Sequence, residues 1–161
     1  MSRLQSTRFS WSTGYEWGIG LLGLATGFYY LPQLFHQPLF VTIFLFILAI
    51  LLEVFPVPLG KANSSLLIAM PVAVALTYGM AEAVWLMVVA ELVFPTILRQ
   101  TMKNSVRIFN AGQYALSTWV MGRLMSWLVQ GPSGALTDWQ TYVQVIIGFG
   151  SFIVINHGLI H

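Results

Sequence analysis

Between Trp17 and Leu98 the chain carries only four charged side chains, Glu53, Lys61, Glu82 and Glu91. Apolar runs of that length need an apolar surrounding on all sides, which a water-soluble domain of 161 residues cannot supply. Over the whole sequence 57% of residues are hydrophobic, 7% are charged, and the mean hydropathy is +0.78. The expected solvent is lipid. In lipid each backbone amide must find its partner within the protein, which leaves helices or a closed barrel. The runs are continuous rather than alternating, so helices are expected. At roughly 20 residues per span, the chain accommodates about six. The expected fold is therefore an all-α polytopic membrane bundle of about six transmembrane helices, with residues 1–16 as a cytoplasmic interfacial segment and 17–161 as the membrane domain.

The basic residues give the sidedness. Arg3 and Arg8 precede the first apolar run, Lys61 follows the second, and Arg99, Lys103 and Arg107 lie between the fourth and fifth. The alternate connections hold no Lys or Arg, the positive-inside pattern of a protein with both termini in the cytoplasm. The net charge of +2 suits contact with the lipid bilayer and its anionic headgroups, not nucleic acid. With no cysteine, disulfides and thiolate metal sites are excluded.

The first span is expected at about 17–34, retained for want of a cleavage site, and the second at about 38–55, after a short outer loop with His36 and Gln37. The run from Pro56 to Gly60 ends it, and Asn63 or Ser64 can cap the next helix. The next apolar stretch, 65–98, is too long for one span and divides at Gly79. Its first half has about 14 residues and contains Pro71, so it is expected to be kinked, tilted or re-entrant. The fifth span covers about 105–130, Gly131 to Gly134 form an outer turn, and Asp138 with Trp139 opens the sixth. That helix has no terminator before His161, which suggests a chain cut from a longer protein.

Ionisable groups inside hydrocarbon cost several kcal/mol unless paired or hydrated. Glu91 lies roughly 10 Å inside the cytoplasmic end of its helix, at 1.5 Å per residue. Asn110, Gln113 and Ser117 fall within about 60° of one another on the fifth helix, with Tyr114 beside them. A buried polar cluster of Glu91, Asn110, Gln113, Tyr114 and Ser117 is the candidate site. It serves either to staple helices by hydrogen bonds or to hold a ligand or ion. Arg123, the one Lys or Arg within a span, points away from this stripe. Either it pairs with Glu82 or it snorkels to the outer headgroups. Glu53 is expected to meet Lys61 or snorkel. His157 and His161 share a helix face without an accompanying carboxylate or thiol, so no metal site is assigned. Gly20, Gly23 and Gly27 form a small-residue face suited to close packing within the chain or to dimerisation. No catalytic residue and no cofactor is assigned, because the carboxylates lack the spacing of an acid-base or metal site.

Two passages resemble a known family. Glu53-Val54-Phe55-Pro56-Val57-Pro58-Leu59-Gly60, leading into Ser64-Ser65-Leu66-Leu67, is similar to an E-x-x-P-V-P-L … S passage. Phe109-Asn110-Ala111-Gly112-Gln113-Tyr114-Ala115-Leu116-Ser117 resembles an F-N-x-x-Q-Y-x-L-S helix. Both occur in the membrane sensor region that precedes HD-GYP or GGDEF output domains in bacterial cyclic-di-GMP signalling proteins, with a weaker echo at Ile155-Asn156. The resemblance implies a sensory or anchoring input domain in the bacterial inner membrane, partnered by a cytoplasmic output domain or by a second copy of itself. No such output domain, and none of its enzyme signatures, lies within this sequence. The chain is also similar to the substrate-binding S components of energy-coupling-factor importers in having six apolar segments, both ends inside and small residues on the first. A membrane enzyme ranks third.

Overall fold

The computed structural model describes residues 11–34, 38–54, 57–59, 62–64, 69–128 and 139–159. Among these it has six helices and one short hairpin. The basic residues Arg3, Arg8 and Lys61, the outer-loop residues His36 and Gln37, the turn from Gly131 to Gly134, Asp138 and His161 lie outside the described residues.

Helix α1 (Trp11–Leu34) runs for 24 residues. It starts six residues before the expected start of the span, so residues 11–16, part of the expected interfacial segment, are helical and continuous with α1. Nothing in that stretch breaks the ladder, since the helix meets its only proline at Pro32. Helix α2 (Leu39–Val54) ends one residue short of the expected limit. The chain then forms an antiparallel pair, β1 (Val57–Leu59) with β2 (Ala62–Ser64), in the register Val57↔Ser64, Pro58↔Asn63 and Leu59↔Ala62. The hairpin corrects the expected cap. Asn63 and Ser64 sit in a strand, and the next helix, α3 (Met70–Thr77), begins six residues after Ser64.

Pro71 falls in the first turn of α3, where a missing N–H removes no helical bond. It starts this helix and does not kink it. Eight residues rise about 12 Å, well short of the ~30 Å hydrocarbon layer, so α3 alone cannot cross a bilayer. The break at Gly79 occurs where expected. Its φ of 113° and ψ of 172° fall in a region essentially reserved for glycine. One residue thereby closes α3, donating its N–H to Val74 O at 3.1 Å, and opens α4, where its carbonyl accepts from Ala83 N at 3.2 Å.

Helix α4 (Met80–Ile97) ends in a Schellman motif: Gln100 N–H donates to Pro95 O at 2.8 Å and Arg99 N–H to Thr96 O at 3.3 Å, with Arg99 at φ 53°. Helix α5 (Asn104–Leu128) and helix α6 (Trp139–Gly158) complete the fold. Helix α5 packs on α1, α4 and α6, while α4 packs on α1, α2, α3 and α5. These two form the interior. Alanines let them approach their neighbours closely: Ala83, Ala90, Ala111 and Ala115 are fully buried. The closest approach is α1 on α5. A Cβ on Gly23 would overlap the backbone of Gly112, and a Cβ on Gly112 would come within 2.5 Å of Gly20 Cα. The small-residue face of α1 is thus used within the chain, with Gly27 turned toward Val88 of α4.

Large apolar side chains cover the outside. On α2, Leu39, Phe40, Ile43, Phe44, Ile47 and Leu51 each keep roughly half or more of their surface exposed, and on α6 Tyr142, Ile146 and Val154 do the same. Soluble monomers rarely expose contiguous apolar area of this extent. Two helices are long and apolar enough to cross a membrane, α4 over Met80–Ile97 and α6 over Thr141–Gly158, and α2 is a shorter apolar helix. More than half of α4 is interior, whereas little of that stretch of α6 is buried.

Candidate functional site

The α4–α5 connection holds Arg99 and Lys103, and the first turn of α5 holds Arg107. At this same end lie the start of α1 and the ends of α2 and α6, and between the five helices is a cavity of about 570 Å³. Glu91 comes from α4, Asn110, Gln113 and Tyr114 from α5, and Asn156 from α6. The start of α1 adds Tyr15 and Glu16, the last turn of α2 adds Glu53, and the α4–α5 connection adds Gln100 and Met102.

Four of the five expected cluster residues therefore line one chamber. Gln113, only 2% exposed, donates from Nε2 to Asn156 O at 2.6 Å and to Asn156 Oδ1 at 2.8 Å. Asn110 is a hydrogen-bonding neighbour of the Glu91 carboxylate, and its Nδ2 also approaches Met102 Sδ at 3.9 Å. Tyr114 has Asn156 as a hydrogen-bonding neighbour and packs its ring on Phe152 at 5.8 Å. Ser117 is the exception. It is fully buried one turn further along α5, away from the cavity lining, and its Oγ has no partner among the described residues.

The chamber's charge is acidic. Glu16, Glu53 and Glu91 line it together, and Glu53 and Glu91 are close enough to repel each other. The carboxylates with the side-chain amides of Asn110, Gln113 and Asn156 suit a cation or a ligand rich in hydrogen-bond donors. No group of three His, Asp or Glu side chains with metal-binding proximity occurs among the described residues. At the mouth, Tyr15 OH donates to Leu159 O at 2.8 Å, and Tyr15 rests on Phe109 with ring centroids 5.9 Å apart. The start of the first helix and the end of the last are thereby joined beside the cavity.

The Glu82–Arg123 pair is not formed. Met80 packs against Gly122 of α5, and Glu82, two residues further round α4, faces α2 instead. Arg123 is exposed, with its guanidinium carbon 5.8 Å from the centre of the Trp119 ring. The two residues share a depth but not a direction.

Sequence reasoning missed Tyr15, Glu16, Gln100 and Met102; it expected Glu53 to meet Lys61 or snorkel, and the structure shows Glu53 lining the cavity, while Lys61 lies outside the described residues. A helical wheel shows which residues of one helix share a face, not which other helix meets it. Depth was the available signal, because Glu16, Glu53 and Glu91 all lie near the same end of their helices. The chain matches no family model, no characterised protein and no solved structure.

Proposed function

We propose that this chain is a multi-pass sensory input domain of the bacterial inner membrane, with both termini cytoplasmic, whose acidic chamber binds a cationic or donor-rich effector. The observation that carries the reading is the Gln113–Asn156 contact. It makes one wall of the chamber out of the last helix, so an occupant that competes for the Gln113 amide also bears on α6. Two hydrogen bonds of about 1 kcal/mol each suffice for a shift of roughly 5- to 30-fold between two helix arrangements. The apolar exterior and the gathering of Arg99, Lys103 and Arg107 at the chamber's end support the membrane setting. The resemblance supplies the partner, a cytoplasmic output domain of cyclic-di-GMP signalling or a second copy of the chain. In this reading the chain itself is not an enzyme.

The transport reading has less support. Its motivation included small residues on the first helix, and Gly20 and Gly23 are already packed against Gly112.

The test uses the chain's lack of cysteine. Spin labels at Lys103→Cys and His157→Cys, read by pulsed electron resonance while sodium concentration and pH are varied, should report a change in the α5–α6 separation. Glu91→Gln should abolish that change and leave the thermal melt within about 1 kcal/mol of the parent, because the amide keeps its hydrogen-bonding capacity. If Glu91→Gln responds like the parent, Glu91 only staples helices. If neither sodium nor pH moves α6, the sensory reading loses its mechanism for both effectors.

A further inference from the structure

A second cavity, of about 290 Å³, lies between α2 and α4 and is walled by Ile43, Phe46, Leu86 and Val89 among others. Glu82 and Glu91 are nine residues apart on α4, which places them about 13 Å apart along the axis and on opposite faces. The two cavities are therefore separate. This one is almost wholly apolar, yet it is lined by Glu82, only 7% exposed, and by Trp85, whose Nε1–H has no partner among the described residues.

The position of Glu82 has a local cause. It is the third residue of α4, its Oε2 turned back toward Gly79 at the helix start, where a carboxylate complements the free N–H groups and the helix dipole. That accounts for a carboxylate at this place without supplying a counter-charge. Of the described Lys and Arg residues, Arg99, Lys103 and Arg107 belong to the other end of α4, and Arg123 lies over Trp119.

We propose that the α2–α4 cavity binds a lipophilic amine, its hydrocarbon between the two helices and its ammonium on Glu82. Charge complementarity selects the ammonium, since an acidic group in an apolar wall is best matched by a cation on an apolar body. The volume lies at the small end of ligand sites, which selects a short chain over a whole lipid tail.

Calorimetric titration of the protein in nanodiscs, with protein-free nanodiscs subtracted, compares octylamine with 1-octanol, which has the same chain and no charge. Octylamine should bind saturably and at least tenfold more tightly than octanol. Glu82→Gln should reduce octylamine to the octanol level, since glutamine retains the reach back to the helix start. Val89→Phe, which fills the cavity, should remove saturable binding of both. Absence of saturable octylamine binding overturns the proposal. So does equal binding of the two probes that Glu82→Gln leaves unchanged, which makes the cavity a slot for hydrocarbon such as an acyl chain. Should Glu82→Gln fail to fold, the octylamine-to-octanol ratio of the parent protein decides alone.

Discussion

Arg99 sits at the left-handed position of the Schellman motif that ends α4, φ 53°, where a Cβ crowds the following carbonyl at a cost of roughly 1–2 kcal/mol. Arg99→Gly should therefore raise stability by about 1 kcal/mol in a denaturant melt. The charge is what the arginine contributes in exchange, one of three at that end. Glycines on α1 divide by what faces them. A methyl group added at Gly18 would meet nothing within 4 Å, whereas one at Gly23 would meet the Gly112 backbone. Gly18→Ala should stabilise by about 0.5–1 kcal/mol, and Gly23→Ala should destabilise by about 1–3 kcal/mol through overpacking. Thermal melts of the two variants side by side provide the check, and equal shifts would contradict the α1–α5 contact. Residue type alone does not separate these two glycines, or show that Glu82 and Arg123 diverge. Depth along a helix follows from counting, while direction depends on which neighbour the helix meets.

At the scale of elements, the boundaries legible in the sequence are those with a steric cause. Gly79 divides the long apolar stretch because its backbone geometry is closed to other residues, and the fifth and sixth helices begin within a residue of their expected starts. The hairpin of β1 and β2 was not legible, since Pro56 to Gly60 signals only that a helix stops. Asn63 and Ser64 carry a capping chemistry that the local strand pairing overrides. Helix α6 depends on side-chain bonds toward its end: Gln113 to Asn156 and Tyr15 to Leu159. Gln113→Leu should cost about 1–2 kcal/mol. Hydrogen exchange should accelerate in the last two turns of α6 while α4 stays protected. Uniform acceleration across α4 and α6 would mean that Gln113 supports the whole bundle instead.

At the scale of the molecule, the described ends carrying Arg99, Lys103 and Arg107 face the same way as the chamber, so its sidedness can be measured directly. In intact cells an impermeant maleimide should label Ser133→Cys but not Lys103→Cys, with Lys103→Cys reacting only after permeabilisation. The reverse pattern would invert the topology and place the chamber outside. The candidate site was partly legible at this scale. The stripe on α5 was visible from its own periodicity, and Asn156 belonged to the faint echo at Ile155-Asn156, but the acidic partners from α1 and α2 required the packing of five helices.

The contact of Gly20 and Gly23 with Gly112 joins residues about 90 positions apart in the chain. A ribosome adding about 5–20 residues per second needs on the order of 5–20 s to make the second partner after the first. Throughout that interval the glycine face of α1 is without its mate and open to any other small-residue helix, including the α1 of a neighbouring nascent chain. Biogenesis of this protein therefore has a window in which mispairing is open, and it closes only when α5 arrives.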